Sequence, residues 1–117
     1  MGSELRWQRE HTLLASAIHG AGTGYSNTIN AGEYSQALFF LETTTHAGTS
    51  PTLNLTMQVS YDGSTWFDTT STFAQSVTEN KIILASTTLG KYVRFSYTIA
   101  GTDTPAFTFS LVGVFKS

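Results

Sequence analysis

The 117-residue sequence has no cysteine, which excludes disulfide bridges and thiolate metal sites. Charged residues are scarce, at 12% of the chain, or about half the share usual in soluble domains. The net charge of −2 provides no basic surface for nucleic acid. No apolar run approaches the ~18 residues of a membrane span, and the first residues lack the apolar core of a signal peptide. We therefore expect a soluble protein that is not secreted by the ordinary route and binds neither nucleic acid nor a membrane.

Patterns typical of catalysis or metal binding are missing as well. The histidines, His11, His19 and His46, show no metal-ligand spacing, and we expect them in exposed loops or at strand ends. Asp62 and Asp68 flank a tight turn, which offers neither the cleft and raised pKa of a glycosidase pair nor the oxygen-rich loop that calcium needs. We therefore predict no enzymatic activity, no cofactor and no metal site.

What the sequence does have is alternation of apolar and polar residues, which is typical of half-buried strands. The pattern is clearest in 52–61 and recurs in 91–99 and 106–115. Residues 36–46 are apolar on both faces at their centre, as expected for a strand in the middle of a sandwich. Residues 52–61 present one predicted inward series: Leu53, Leu55, Met57, Val59 and Tyr61.

Shorter strands are predicted between glycine-rich turns, at 12–18, 72–77 and 81–86. Residues 12–117 therefore form one all-β domain in this prediction. We expect a two-sheet β-sandwich, jelly-roll-like or immunoglobulin-like, of about eight strands.

Two stretches of the chain echo each other. Residues 47–61 and 100–115 both begin with Ala-Gly-Thr, continue through a proline, Pro51 or Pro105, and enter an alternating strand. Glycine supplies the freedom of φ that a turn needs, and proline starts a strand where no ladder donor is required. Either two hairpins converged on one turn chemistry or an ancient duplication produced both. In each case two similar hairpins of one sandwich are predicted.

Asp62-Gly63 is a strong hairpin signal, followed by an aromatic pair, Trp66 and Phe67. Turns of two or four residues place Trp66 on the same face as Tyr61, whereas a three-residue turn points it outward. We therefore predict that Trp66 lies in the core and that Phe67 is an outer or edge residue. Further surface contacts are expected from tyrosines beside turns or on outward strand positions: Tyr25, Tyr34 and Tyr92. The alternative is that these tyrosines cap the open ends of the sandwich.

Residues 1–11 differ from the rest because four charged residues stand among the first ten. They form either an arm that becomes ordered against a neighbouring molecule or a local helix or strand packed on the domain itself. In an arm, Leu5 and Trp7 are the apolar anchors and Arg6 and Arg9 the charged contacts for a partner.

The segments GTSPTLNLTMQVSYDGSTWFDT, LGKYVRFSYTIAGT and FTFSLVGVF resemble a group of small proteins from the structural-gene clusters of tailed bacteriophages. The resemblance covers about residues 12–115, and its motifs are structural ones that specify no ligand. It implies a virion component, most plausibly a head decoration protein that binds the major capsid protein, reinforces the shell and forms a homo-oligomer, commonly a trimer. Such a protein is made in the host cytoplasm and ends on the capsid surface. The alternatives are a carbohydrate- or receptor-binding module of the tail and a head–tail or tail component.

Overall fold

The computed structural model describes residues 8–87 and 89–117. This part of the chain contains no helix, and its strands form a single antiparallel sheet. The seven strands are β1 (Gln8–Gly20), β2 (Gly22–Tyr25), β3 (Ile29–Asn30), β4 (Gln36–Ser60), β5 (Phe67–Thr72), β6 (Asn80–Ser86) and β7 (Tyr92–Lys116). The prediction of an all-β fold is confirmed.

Two strands of 25 residues, β4 and β7, run through the centre of the sheet and pair along their length. Their register shifts near the midpoint, around Ala47–Thr52 in β4. The sheet folds over here, and contacts between the faces of its two halves show this. Phe39 pairs with Gly113 in one half, yet its ring centroid lies 4.8 Å from that of Phe95 in the other half. The result is a sandwich-like fold made from one bent sheet.

The two halves of the sheet form two layers. The first layer has the order β1, residues 106–116 of β7, residues 36–47 of β4, and β6. The second layer has β2 and β3 beside residues 92–100 of β7, then residues 52–60 of β4, and β5. The side chains between the layers form the core, whose largest fully buried members are Phe39, Phe95, Phe107, Phe109, Phe115, Leu13, Leu41, Leu53, Leu55, Met57, Ile99 and Leu111.

The alternating patterns predict most of this core correctly. The inward series of β4 is confirmed up to Met57, but Val59 is half-buried and Tyr61 is 67% exposed. Tyr61 is exposed because β4 ends at Ser60, beyond which the chain leaves the sheet. The strand predicted at 72–77 is displaced, since β5 ends at Thr72.

The two Ala-Gly-Thr segments are crossings between layers, so the prediction of two hairpins is wrong. Gly48 takes a φ of 98° and Gly101 a φ of 138°, both outside the region that other residues favour. A Cβ on Gly48 would lie 2.7 Å from Pro105 Cα, and a Cβ on Gly101 would lie 3.0 Å from Pro51 Cα. Each glycine thus accommodates the proline of the opposite strand, and the chain continues forward instead of reversing.

The strand order repeats itself around these crossings. β1 flanks the second half of β7, as β5 flanks the second half of β4. The β2–β3 segment flanks the first half of β7, as β6 flanks the first half of β4. The strands of residues 8–60 therefore match those of residues 67–116 in chain order, with β2 and β3 together matching β6. This repeat is an observation about strand order, and the choice between convergence and duplication stays open.

β1 begins at Gln8, so residues 8–11 belong to the sheet. Leu5, Arg6 and Trp7 lie outside the described residues. In the described part of the chain, no helix has the length and apolarity needed to cross a membrane.

Candidate interaction surfaces

The outward face of the first layer carries a cluster of apolar side chains, here called the outer patch and made of Leu38, Phe40, Ile83, Val112 and Val114. Strand register places them side by side, because Leu38 pairs with Val114 and Phe40 pairs with both Val112 and Ile83. Their chain neighbours point into the core, so these five point outward. Phe40 is 39% exposed and Ile83 is 64% exposed.

The rim of the outer patch is polar. Lys81 Nζ lies 3.8 Å from Glu42 Oε2 at one end of the patch, and both side chains are well exposed. A shallow depression between β4 and β6 joins this ion pair to Phe40 and Ile83. An apolar centre with a charged rim is the usual composition of a protein–protein interface.

The outward face of the second layer carries a stack of one arginine between two aromatic rings. The guanidinium carbon of Arg94 lies 4.1 Å from the Tyr25 ring centroid and 4.2 Å from that of Trp66. Arg94 Nε donates a hydrogen bond to Gln58 Oε1 (2.8 Å), and Gln58 Nε2 donates one to Asp68 Oδ1 (2.8 Å). The stack covers the outer surface of three adjacent strands.

Trp66 is therefore half-buried on the outer face, and the prediction that it fills the core is wrong. β4 and β5 pair Gln58 with Asp68 and Val59 with Phe67, which leaves a longer turn between the strands than the two to four residues considered from the sequence. The added length reverses the expected face of the tryptophan. Phe67 is 52% exposed at the edge of the sheet, as predicted, with its ring 6.2 Å from that of Tyr61.

The turn between β4 and β5 is organised by two side chains. Ser60 Oγ accepts hydrogen bonds from the backbone N–H groups of Asp62 (3.2 Å) and Gly63 (2.8 Å). Asp62 Oδ1 accepts bonds of 2.8 Å from the N–H groups of Ser64 and Thr65. These two backbone bonds, Thr65 first, lower the pKa of Asp62 to about 2. Asp62 is thus a structural carboxylate that holds the turn.

The remaining predicted contact tyrosines are only partly available. Tyr34 is half-buried, with its ring 5.2 Å from that of Phe115, and it shares a hydrogen bond with His11 Nε2 (3.2 Å). Tyr92 is half-buried beside Gly63 and Lys91. Tyr25, by contrast, is 52% exposed.

The expectation of an exposed loop or strand-end position is wrong for His11, whereas His19 lies next to Gly20, the last residue of β1. His11 and His19 are half-buried in β1, and His19 Nδ1 shares a hydrogen bond with Tyr97 Oη (3.0 Å). His46 is exposed and bonds to Glu79, whose pKa is lowered by that contact. Among residues 8–87 and 89–117, no three metal-ligating side chains come together.

Neither a known family model nor a curated protein matches the sequence. Among solved structures, the SPBc2 prophage-derived protein YomS is similar over 100% of this chain and 99% of its own, with a TM-score of 0.56 and 8% identity. PirA covers 98% of this chain and 97% of its own at a TM-score of 0.43 and 11% identity. The Yersinia pseudotuberculosis-derived mitogen covers 96% and 84% at a TM-score of 0.37 and 8% identity. The similarity to YomS shows that the chain shares the fold of a prophage-derived protein.

Proposed function

We propose that this protein is a structural component of a tailed-phage particle, namely a head decoration protein that binds and stabilises the shell of the major capsid protein. The observation that carries the proposal is the outer patch, in which Phe40 and Ile83 are exposed and Leu38, Val112 and Val114 are half-buried beside them. Contiguous apolar surface of this kind marks protein-interaction sites. The phage setting is supported by the sequence resemblance and by a fold shared over the whole chain with a prophage-derived protein.

The shape of the outer patch favours a protein partner over a small molecule. Its side chains lie on three adjacent strands of one sheet face, β6, β4 and β7. Small-molecule sites are concave and combine apolar walls with converging polar groups. A broad sheet face with the Glu42–Lys81 pair at its rim instead suits the surface of a shell subunit.

The proposed role is binding without catalysis. A carboxyl that acts as a general acid near neutral pH needs a raised pKa, whereas the pKa of Asp62 is lowered to about 2. Asp68, the other carboxylate near the turn, accepts a hydrogen bond from Gln58, which in turn accepts one from Arg94.

Residues 1–7 supply a second proposed contact with the shell. Gln8, where β1 begins, pairs with Lys116, two residues from Val114 of the outer patch. The strand that follows residues 1–7 in the sequence therefore belongs to the layer that carries the patch. Leu5, Arg6 and Trp7, together with Arg9 at the start of β1, are the proposed contact residues.

A binding assay with head shells assembled from the major capsid protein of the same phage tests the proposal. The Phe40→Ser variant is expected to bind the shells at least about tenfold more weakly, because it removes an aromatic side chain that the proposed contact would bury. Tyr25→Ser is the matched control, since it removes an exposed aromatic residue from the opposite layer and should bind normally. If Phe40→Ser, shown to be folded by circular dichroism, binds like the wild type, the patch is not the contact.

A second candidate is a carbohydrate- or receptor-binding module of the tail, or a head–tail or tail component. The stack of Tyr25, Arg94 and Trp66 favours it, because exposed rings beside polar groups can stack on sugars. On a glycan array, such a module would bind defined glycans, and its Tyr25→Ala variant would no longer bind them. Absence of binding to any glycan, together with normal shell binding, would remove this candidate.

A further inference from the structure

β6 forms one edge of the first layer. It pairs with β4 through seven consecutive residues, from Ala37↔Ser86 to Thr43↔Asn80, without a register shift. Within residues 8–87 and 89–117, its other edge has no strand partner. Along residues 81–85, such an edge presents a row of backbone N–H and C=O groups that no other strand of the described residues pairs with.

The other long edges of the sheet are interrupted. β1 has register shifts between Thr12 and Leu14 and between Leu14 and Ala17. β5 has one where it pairs with Thr56–Gln58. Such irregularities discourage pairing with another chain, as do prolines, and β6 has neither. Among the long edge strands, β6 is thus the one whose regular register is best suited to pairing with a further strand.

β6 is also apolar on both faces. Ile83 points outward and is 64% exposed, while Ile82 and Leu84 point toward the core but are only half-buried. A strand added beside β6 would cover all three side chains. Burial of this apolar surface would add to the backbone hydrogen bonds.

We propose that β6 pairs antiparallel with β6 of a second copy of this chain, about a two-fold axis at Ile83. In this register Ile82 faces Leu84 of the second copy. Lys81, the single charge of β6, faces Ala85, so no like charges oppose each other. The Lys81–Glu42 ion pair stays at the rim.

The proposed pairing also has a consequence for the outer patch. Residues that pair across antiparallel strands point to the same side of the sheet. The outer patches of the two copies therefore join into one continuous surface on one side of the dimer. The pairing does not depend on the virion role, but in a decoration protein it would double the surface offered to the shell. It also favours a dimer, whereas the phage resemblance implies a trimer.

Sedimentation of the isolated, full-length protein tests the pairing without phage particles. The wild type is expected to sediment as a dimer, and Ile83→Lys to dissociate at least about tenfold more readily because it places two like charges at the axis. Ile18→Lys is the matched control, since Ile18 is 69% exposed on β1 at the opposite edge of the same layer. A monomer, a trimer, or a dimer that Ile83→Lys leaves intact would overturn the proposal.

Hydrogen exchange provides a readout that does not depend on the variant. The backbone amides of β6 that point away from β4 are expected to exchange more slowly when the protein is concentrated than when it is diluted below the dimer dissociation constant. Backbone amides in residues 13–18 of β1 that point away from β7 should show no such dependence. Concentration-independent exchange throughout β6 would contradict the pairing.

Discussion

Replacing Gly48 by alanine is expected to destabilise the protein, because this residue occupies the crossing between the layers. Its φ of 98° lies where a side chain is strained, and a Cβ there would lie 2.7 Å from Pro105 Cα and 2.9 Å from the carbonyl oxygen of Thr102. The close atoms are backbone, so they cannot rotate away. The strain contributes about 1–2 kcal/mol and the overpacking about 1–3 kcal/mol. We therefore expect a loss of about 2–5 kcal/mol in the free energy of unfolding.

Urea denaturation followed by circular dichroism measures this loss, and thermal unfolding should show a Tm lower by roughly 8–20 °C. Gly20→Ala is the matched control: no atom lies within 4 Å of its Cβ position. That variant should be unchanged or up to about 1 kcal/mol more stable. Equal stability of the two variants would refute the idea that the sheet folds over at a crossing that requires glycine.

Three further predictions concern the turn, the stack and the core. Because the pKa of Asp62 is lowered from 3.8 to about 2, its ionised form stabilises the fold above about pH 4, and this contribution is lost as the pH falls through 2. The stability difference between wild type and Asp62→Asn should therefore shrink between about pH 5 and pH 2 in urea titrations, and a constant difference would contradict it. Arg94→Ala should lower the free energy of unfolding by about 1–2 kcal/mol. It should also shift the fluorescence maximum of Trp66 to the red, measured in a Trp7→Phe background. An unshifted spectrum would mean that the stack does not shield the indole. Phe39→Ala should lower the free energy of unfolding, measured by chemical denaturation, by about 3–5 kcal/mol. A decrease below about 1 kcal/mol would show that the two layers do not pack through this ring.

Alternation of apolar and polar residues was sufficient to predict the all-β class and much of the core. Phe107, Phe109, Leu111 and Phe115 are buried as the pattern of β7 indicates. The same rule could not show which face of residues 36–46 is core, because both faces are apolar at the centre of this segment. One of those faces is core, and the other is part of the outer patch.

Whether Ala-Gly-Thr reverses the chain or bends it could not be predicted, because glycine permits both conformations. The outcome depends on which strand lies opposite, and Pro105 and Pro51 are remote in sequence from the glycines that they contact. The position of Trp66 was missed for a related reason. The length of its turn is fixed by hydrogen bonds that Ser60 Oγ and Asp62 Oδ1 accept from backbone N–H groups of the turn, which the Asp-Gly signal alone does not reveal.

Electron cryomicroscopy of phage particles that carry this protein tests the central proposal most directly. We predict density for the fold at regular positions over the whole head shell, with Phe40 and the rest of the outer patch turned toward the major capsid protein. Density confined to the tail or to the head–tail connector would contradict the decoration role. Density on the shell with the outer patch facing solvent would contradict the surface through which the protein is proposed to bind.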